Sequence, residues 1–284
     1  MAVWHYGTGM HVRTVLEEFS ALIISVAWSA DGSLTATGCL CGIIKVLDAV
    51  TGAVKIELQG HTASSPVFSL AWKPGGAQVC SGDDRGTCRL WDVGTGQLLH
   101  EQTKNDGFMC PVVSWSPDRS LVATGTQMGT VRVRDATTGD EVHELHHAGY
   151  GAPRTSPMNC VAWSPDGSML VSGCPDCSVR VWDADTGTVK YRVQCRSLCS
   201  VHVVAWRPDG RLLAIGDDFG SLRVWPVGVA VTDVRRIQVA SCPRLAWSPN
   251  GQVLVAAHNK AATICDVSEY ASSVKHNGVA AKVG

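Results

Sequence analysis

The stretch Val161–Gly173 reads VAWSPDGSMLVSG. Near-copies begin at Val26 (VAWSADGSLTATG), Leu70 (LAWKPGGAQVCSG), Val113 (VSWSPDRSLVATG), Val204 (VAWRPDGRLLAIG) and Leu245 (LAWSPNGQVLVAA). Their tryptophans, Trp28, Trp72, Trp115, Trp163, Trp206 and Trp247, are spaced by 44, 43, 48, 43 and 41 residues. A second landmark follows each tryptophan by 19 or 20 residues: VLD, LWD, VRD, VWD, VWP and ICD, ending at Asp48, Asp92, Asp135, Asp183, Pro226 and Asp266. Spacing this regular marks a repeat architecture, in which one copy cannot bury its apolar surface alone and stacks on the next.

The copy from Asn159 to Gln194 shows what each repeat forms. NCVAW is short and β-favouring, and SPDG is a turn whose glycine is free to take a positive φ. SMLVSG is a second run, CPDC a second turn and SVRVWDA a third run. DTG turns the chain again into VKYRVQ. Four short antiparallel strands result. Stacked face to face and closed into a ring, such sheets bury both faces and lose their exposed ends. The first-strand tryptophan is expected to pack against the next blade. Trp4, Trp91, Trp182 and Trp225 take the third-strand landmark.

Composition narrows the function. The chain has 284 residues, 45% of them hydrophobic and 17% charged, which suits a globular protein. With 24 basic against 25 acidic side chains it lacks the excess of a general nucleic-acid binder, so direct nucleic-acid binding is not expected. No secretory leader or membrane-length apolar run is visible, so an intracellular protein is expected, cytoplasmic or nuclear, with no membrane partner. For its 12 cysteines free thiols are the default, and Cys80, Cys160 and Cys265 are expected as small buried hydrophobes.

The VAWSPDG turns, the VWD landmark and the Gly60-His61 pair resemble the WD-repeat β-propeller family, over Met1 to about His276. The resemblance implies an all-β fold, a β-propeller of four-stranded antiparallel blades. Six repeats are expected at 20–60, 61–103, 104–146, 147–195, 196–240 and 241–276, within a single propeller domain over 1–284. VWHYGTGMHVRTVL from Val3 aligns without gaps to VWDADTGTVKYRVQ from Val181, so 1–19 reads as the outer hairpin of a closing blade. Seven blade positions are expected, the last composite or incomplete, with the tail 277–284 offering one inner strand. A truncated chain and a six-blade ring with an additional hairpin are the alternatives.

The family also implies a buried polar set in each blade: a His before the first strand, a Ser or Thr in the second, an Asp in the next turn and the third-strand Trp. His147, Ser172, Asp176 and Trp182 fill all four roles. His61, Ser81 and Trp91 fill three, with Arg85 at the expected Asp position; Cys41, Met128, Phe219 and Asn259 hold it elsewhere, and Arg134 replaces one Trp. The network is therefore expected to be broken in five of six blades. The same turns form the expected docking face for other proteins or peptides, through Asp84, Arg85, Met128, Asp218 and Phe219, with Tyr150 and Arg154 on the inserted loop His146–Met158.

A non-enzymatic interaction scaffold or adaptor subunit, requiring no cofactor, is the leading reading. The alternative is a metal- or small-ligand-binding propeller, with zinc on Cys174, Cys177, Cys195 and Cys199, whose C-x2-C-x17-C-x3-C spacing approaches that of a zinc ribbon. The pairs Asp83-Asp84 and Asp217-Asp218 match the acidic turn of the repeat and carry no expected catalysis. No phosphate loop, nucleophile elbow or dinucleotide fingerprint is present. Lys45, Arg89, Arg132, Arg180 and Arg223 share one third-strand register, as amphipathic side chains covering apolar surface.

Overall fold

A computed structural model describes residues 2–4, 11–14, 21–61, 65–103, 112–118, 120–147, 158–195, 200–228, 235–238, 244–248, 250–258 and 261–267. Among them every regular element is a β-strand, and no helix is long and apolar enough to cross a membrane. The chain divides into two compact units, Met1–Met109 and Cys110–Gly284.

The first unit opens with β1 (Ala2–Trp4) and β2 (His11–Thr14), which pair with each other as a two-stranded sheet. Two four-stranded meanders follow. The first blade is β3 (Ile23–Trp28), β4 (Leu34–Cys39), β5 (Ile43–Asp48) and β6 (Val54–Gln59). The second is β7 (Val67–Trp72), β8 (Gln78–Asp83), β9 (Thr87–Asp92) and β10 (Leu98–Thr103). Ala36, Ile44, Val46, Leu58, Val67, Val79 and Trp91 bury one continuous apolar layer between them.

The second unit holds four more blades. They are β11 (Val112–Trp115), β12 (Leu121–Gly125), β13 (Thr130–Asp135) and β14 (Glu141–His146); then β15 (Cys160–Trp163), β16 (Met169–Gly173), β17 (Ser178–Asp183) and β18 (Val189–Gln194). The fifth is β19 (Val201–Trp206), β20 (Leu212–Asp217), β21 (Ser221–Pro226) and β22 (Arg235–Gln238). The sixth is described as three strands, β23 (Arg244–Trp247), β24 (Val253–His258) and β25 (Ala261–Asp266). The tail expected to offer an inner strand, 277–284, lies outside the described residues.

Two turn chemistries recur among the copies. In SPDG the Ser164 hydroxyl donates to Asp166 Oδ1 at 2.6 Å and accepts the Met169 N–H at 2.9 Å, while Gly167 turns the chain at a φ of 76°. Ser29 with Asp31, Ser116 with Asp118 and Ser248 with Asn250 repeat the same hydroxyl bond. In the turn from third to fourth strand, Asp183 Oδ1 accepts both the backbone N–H and the hydroxyl of Thr186, as Asp48 does from Thr51 and Asp92 from Thr95. Short polar side chains here satisfy backbone donors that would otherwise face water.

The first-strand tryptophans reach backwards, not forwards as the sequence suggested. Trp72 Nε1 donates to the Ala27 carbonyl at 2.9 Å in the first unit. In the second, Trp163 donates to Ser114, Trp206 to Ala162 and Trp247 to Ala205, at 3.3, 3.2 and 3.0 Å. Each first strand is an edge of its own sheet and so offers outward carbonyls, and a buried indole N–H needs such an acceptor. Trp28, in the first blade, stands 49% exposed.

Candidate functional site

The turn from the second strand to the third is where the copies differ most, and its geometry is set by the residue that ends the second strand. In the second blade that residue is Asp83. Its Oδ1 accepts the backbone N–H of Arg85 at 3.0 Å and of Thr87 at 2.8 Å, and its Oδ2 faces His61 Nδ1 at 2.9 Å. His61 Nε2 lies 2.7 Å from Ser81 Oγ, which accepts the Trp91 indole N–H at 2.9 Å. The serine hydroxyl can donate onward to Nε2, while Nδ1 faces both Asp83 Oδ2 and Arg89 Nη1, which can only donate. Burial pushes the Asp83 carboxyl up, but the hydrogen bonds from His61 and Thr87 outweigh it and hold it below its ordinary value.

This overturns the expected register. The carboxylate of the second blade is Asp83, eight residues before Trp91, not the position of Arg85, and the set is complete there. The same position holds Cys39, Thr126, Cys174 and Asp217 in the first, third, fourth and fifth blades. Three of these tie their own turns: Cys39 Sγ takes the Cys41 N–H, Thr126 Oγ1 the Met128 N–H, and Asp217 Oδ1 the N–H groups of Phe219 and Ser221; in the fourth blade Asp176 Oδ1 takes the Ser178 N–H instead. In the third blade Arg134 stands in for the indole, its Nη1 donating to Thr124 Oγ1 at 3.3 Å.

The fourth blade, the sequence's model of a complete set, is the departure. Trp182 Nε1 donates to Ser172 Oγ at 2.7 Å. His147 Nε2, however, faces the Ser172 backbone carbonyl at 3.3 Å instead of the hydroxyl. Its Nδ1 looks onto Cys174 Sγ at 3.0 Å, Ser178 Oγ at 3.3 Å and Asp176 Oδ2 at 3.4 Å. Burial pushes the Asp176 carboxyl up, yet the hydrogen bonds from His147, Cys174 and Ser178 bring it well below the usual carboxylate range. Burial holds the Cys174 thiol far above its usual value.

Against this geometry, the family model described as "WD domain, G-beta repeat" matches residues 11–48, 52–92 and 140–183. The β-propeller domain of Cps50 (Swd1) from Myceliophteria thermophila superposes with a TM-score of 0.73 at 18% identity, covering 88% of this chain and 84% of that one. Actin-interacting protein 1 of Drosophila melanogaster is 30% identical over 97 residues, 34% of this chain and 16% of that protein. WD repeat-containing protein SL1-17 of Schistosoma mansoni is 30% identical over 95 residues, 32% of this chain and 31% of that protein. The Drosophila melanogaster Retinoblastoma-binding protein 5 homolog is 32% identical over 81 residues, 28% of this chain and 16% of that protein. The matches thus span less than a third of each of these three curated relatives. The chain carries WD repeats on a β-propeller fold.

The turn residues singled out for docking divide by environment. Phe219 is 63% exposed, and its backbone is fixed by Asp217 beneath it. Arg85 is exposed, and Asp84 is half-buried, with its Oδ1 enclosed and without a hydrogen-bond partner among the described residues. Asp218 accepts the Ser200 N–H at 2.9 Å, so it ties a loop as well as facing solvent. Met128 is half-buried. Tyr150, Arg154 and Asn259 lie outside the described residues. Leu40, 42% exposed in the first blade at the place of Asp84, was missed because residue type and not exposure guided the choice.

The WD-repeat frame also accounts for the cysteines and the charges. The four cysteines of the zinc alternative do not form a described cluster. Cys174 faces His147, Cys195 occupies the place His61 has in its own blade, and Cys199 lies outside the described residues. Among the described residues the only metal-competent group is His147, Cys174 and Asp176. Cys177 takes a φ of 65° where the first, second, third and fifth blades have glycine, as Gly86 does at 77°. Cys160 is buried, its thiol pushed up to about 12. The default of free thiols fails at Cys39 and Cys41, which are joined as a disulfide. Each Asp-Asp pair is split: Asp83 and Asp217 are buried and hold turns, while Asp218 is exposed and Asp84 half-buried with its Oδ1 enclosed. Four of the five basic side chains of the shared register pair with an acid of their own blade, as Arg89 does with Glu101 at 2.9 Å and Arg223 with Asp217 at 3.5 Å. Arg180 donates to the His146 carbonyl and lies over the Trp182 ring.

Proposed function

We propose that this WD-repeat protein is a non-enzymatic scaffold or adaptor that binds other proteins or peptides through its second-to-third-strand turns. The carrying observation is Phe219, a large aromatic side chain 63% exposed on a backbone locked by a buried carboxylate. An exposed aromatic on a rigid turn offers apolar contact area at low entropic cost, the pattern of an interface anchor. Exposed Leu40 and Arg85 present the same turn in the first unit. Two relatives carry names that specify a protein partner, actin-interacting and retinoblastoma-binding. No enzymatic family is indicated, and Asp83 and Asp217, the buried acids of the two pairs, hold turns. The same reading places the protein inside the cell, in cytoplasm or nucleus.

Phe219→Glu and Arg85→Glu test it, with Val50→Glu as the control at the opposite end of a blade. Quantitative capture of partners by each folded variant is the measurement. Proteins retained by wild type and Val50→Glu but depleted by either turn variant support the reading. Identical retention by all four forms removes these turns as the docking surface.

A further inference from the structure

We propose that His147, Cys174 and Asp176 form a binding site for one zinc ion in the fourth blade. The ligand atoms, one imidazole nitrogen, one sulfur and one carboxylate oxygen, all lie within 4.8 Å of one another. The His147 Nδ1 to Asp176 Oδ2 distance is 3.4 Å and the Nδ1 to Cys174 Sγ distance 3.0 Å. Bond lengths of zinc to N, O and S put the nitrogen–oxygen edge of a tetrahedron at about 3.4 Å and the nitrogen–sulfur edge at about 3.6 Å. One edge is already the right length, and the other requires the thiol to back away by about half an ångström.

The proton arrangement sets this blade apart from its neighbour. The Ser172 carbonyl can only accept, so the Nε2 beside it carries the hydrogen. Nδ1 then has the Cys174 thiol at 3.0 Å, the Ser178 hydroxyl at 3.3 Å and the Asp176 carboxylate at 3.4 Å around it, so nitrogen, sulfur and carboxylate oxygen converge on a point that a cation can occupy in place of the hydrogens these groups share. In the second blade Nε2 faces a hydroxyl instead, and the Arg89 guanidinium already stands beside Nδ1 and Asp83 Oδ2 as the cation of the set. An Nε2–H bonded to a backbone carbonyl is also the outer support that metal-ligating histidines use to fix their tautomer. The second blade has a carboxylate at the position of Cys174 and so closes as an ordinary hydrogen-bonded set; the fourth has a thiol there and a carboxylate two residues on.

The donor set selects the metal. A thiolate, an imidazole and a carboxylate suit zinc, whereas magnesium and calcium prefer oxygen alone. Thiolate and carboxylate together carry the two negative charges that balance the ion. His147 and Cys174 are buried, while Asp176 is partly exposed and opens the site toward solvent, where a fourth ligand has room. Binding replaces the Cys174 S–H bond by a sulfur–zinc bond and releases one proton to solvent, so apparent affinity falls about tenfold for each pH unit of acidification.

Cobalt(II), which reports a thiolate ligand by a sulfur-to-metal charge-transfer absorption, is the probe. Full-length protein stripped by chelator is titrated with cobalt(II) and then with zinc. One equivalent should saturate the absorption, and zinc should abolish it. Cys174→Asp copies the second blade's residue, so the blade keeps a hydrogen-bonding partner for His147; this variant should lose the absorption while its circular dichroism stays that of wild type. Asp176→Asn should weaken binding by more than about 100-fold, beyond the loss typical of an outer-shell partner. Cys177→Gly should leave binding unchanged. Folded wild type without the absorption overturns the site. Persistence of the signal in Cys174→Asp, or its loss in Cys177→Gly, overturns the ligand assignment. None of these outcomes depends on partner binding through Phe219 or Arg85.

Discussion

Asp83 holds its turn through Oδ1 and the His61 imidazole through Oδ2, with the Arg89 guanidinium 3.7 Å from the same oxygen. Removing it takes the carboxylate from a buried imidazole and the acceptor from two backbone donors, while the Arg89 guanidinium keeps Glu101. Leaving buried polar groups unpaired costs far more than the net worth of the bonds themselves. Asp83→Ala should therefore destabilise the protein by about 3 kcal/mol. Arg85→Ala, two residues on and exposed, should stay within about 0.5 kcal/mol of wild type. Urea unfolding midpoints of the two variants check both statements, and the reverse ranking would return the network's acid to the Arg85 position.

Turns that repeat across blades expose strain at the one copy that breaks the rule. Cys177 adopts the left-handed backbone that glycine supplies in the matching turns of the first, second, third and fifth blades, Gly42, Gly86, Gly129 and Gly220. A side chain there costs about 1–2 kcal/mol from the clash between Cβ and the backbone carbonyl, partly offset because glycine is freer in the unfolded chain. Cys177→Gly should thus raise stability by about 1 kcal/mol, read as a higher thermal midpoint. An unchanged or lower midpoint would mean that burial of the thiol outweighs the strain. Glycine is equally fixed before the second blade: a Cβ on Gly60 would enter the ring of Trp91, so the Gly-His pair reflects packing as well as hydrogen bonding.

Over the whole molecule the repeated aspartates make stability depend on acid. The hydrogen bond from Ser29 comes first in holding the Asp31 carboxyl at about 2, and the backbone N–H of Thr51 comes first for Asp48, also at about 2. Asp92, Asp118 and Asp166 are lowered by the same turn bonds. A carboxyl depressed in the folded state lends stability that is fully present above its unfolded value and lost as pH falls through its folded value. The thermal midpoint should be flat above about pH 5 and fall between about pH 4 and pH 2, where many turns protonate together. Calorimetry across this range checks it. A midpoint that instead dropped between pH 7 and 5 would place the control with the histidines.

The repeat, the four-strand unit and its turns were legible in the sequence because they are local: period-two apolar runs, Ser-Pro-Asp-Gly and Asp-x-x-Thr-Gly dictate strand and turn without reference to distant residues. The tryptophan positions were legible for the same reason, and the buried cysteines from their apolar strands. What only tertiary structure decided was which atoms meet across the blade. A carboxylate at Asp83 and one at Asp176 sit two residues apart in the repeat, yet both reach a histidine, because a turn that reverses direction brings either position within bonding distance of the next strand's start. The direction in which Trp72 or Trp163 reaches, and the turning of His147 Nε2 from a hydroxyl to a carbonyl, likewise leave no mark in the order of residues. Hydrogen-bond geometry is set at the scale of tenths of an ångström by packing between strands far apart in the chain, and that packing is what the letters of a single repeat do not contain.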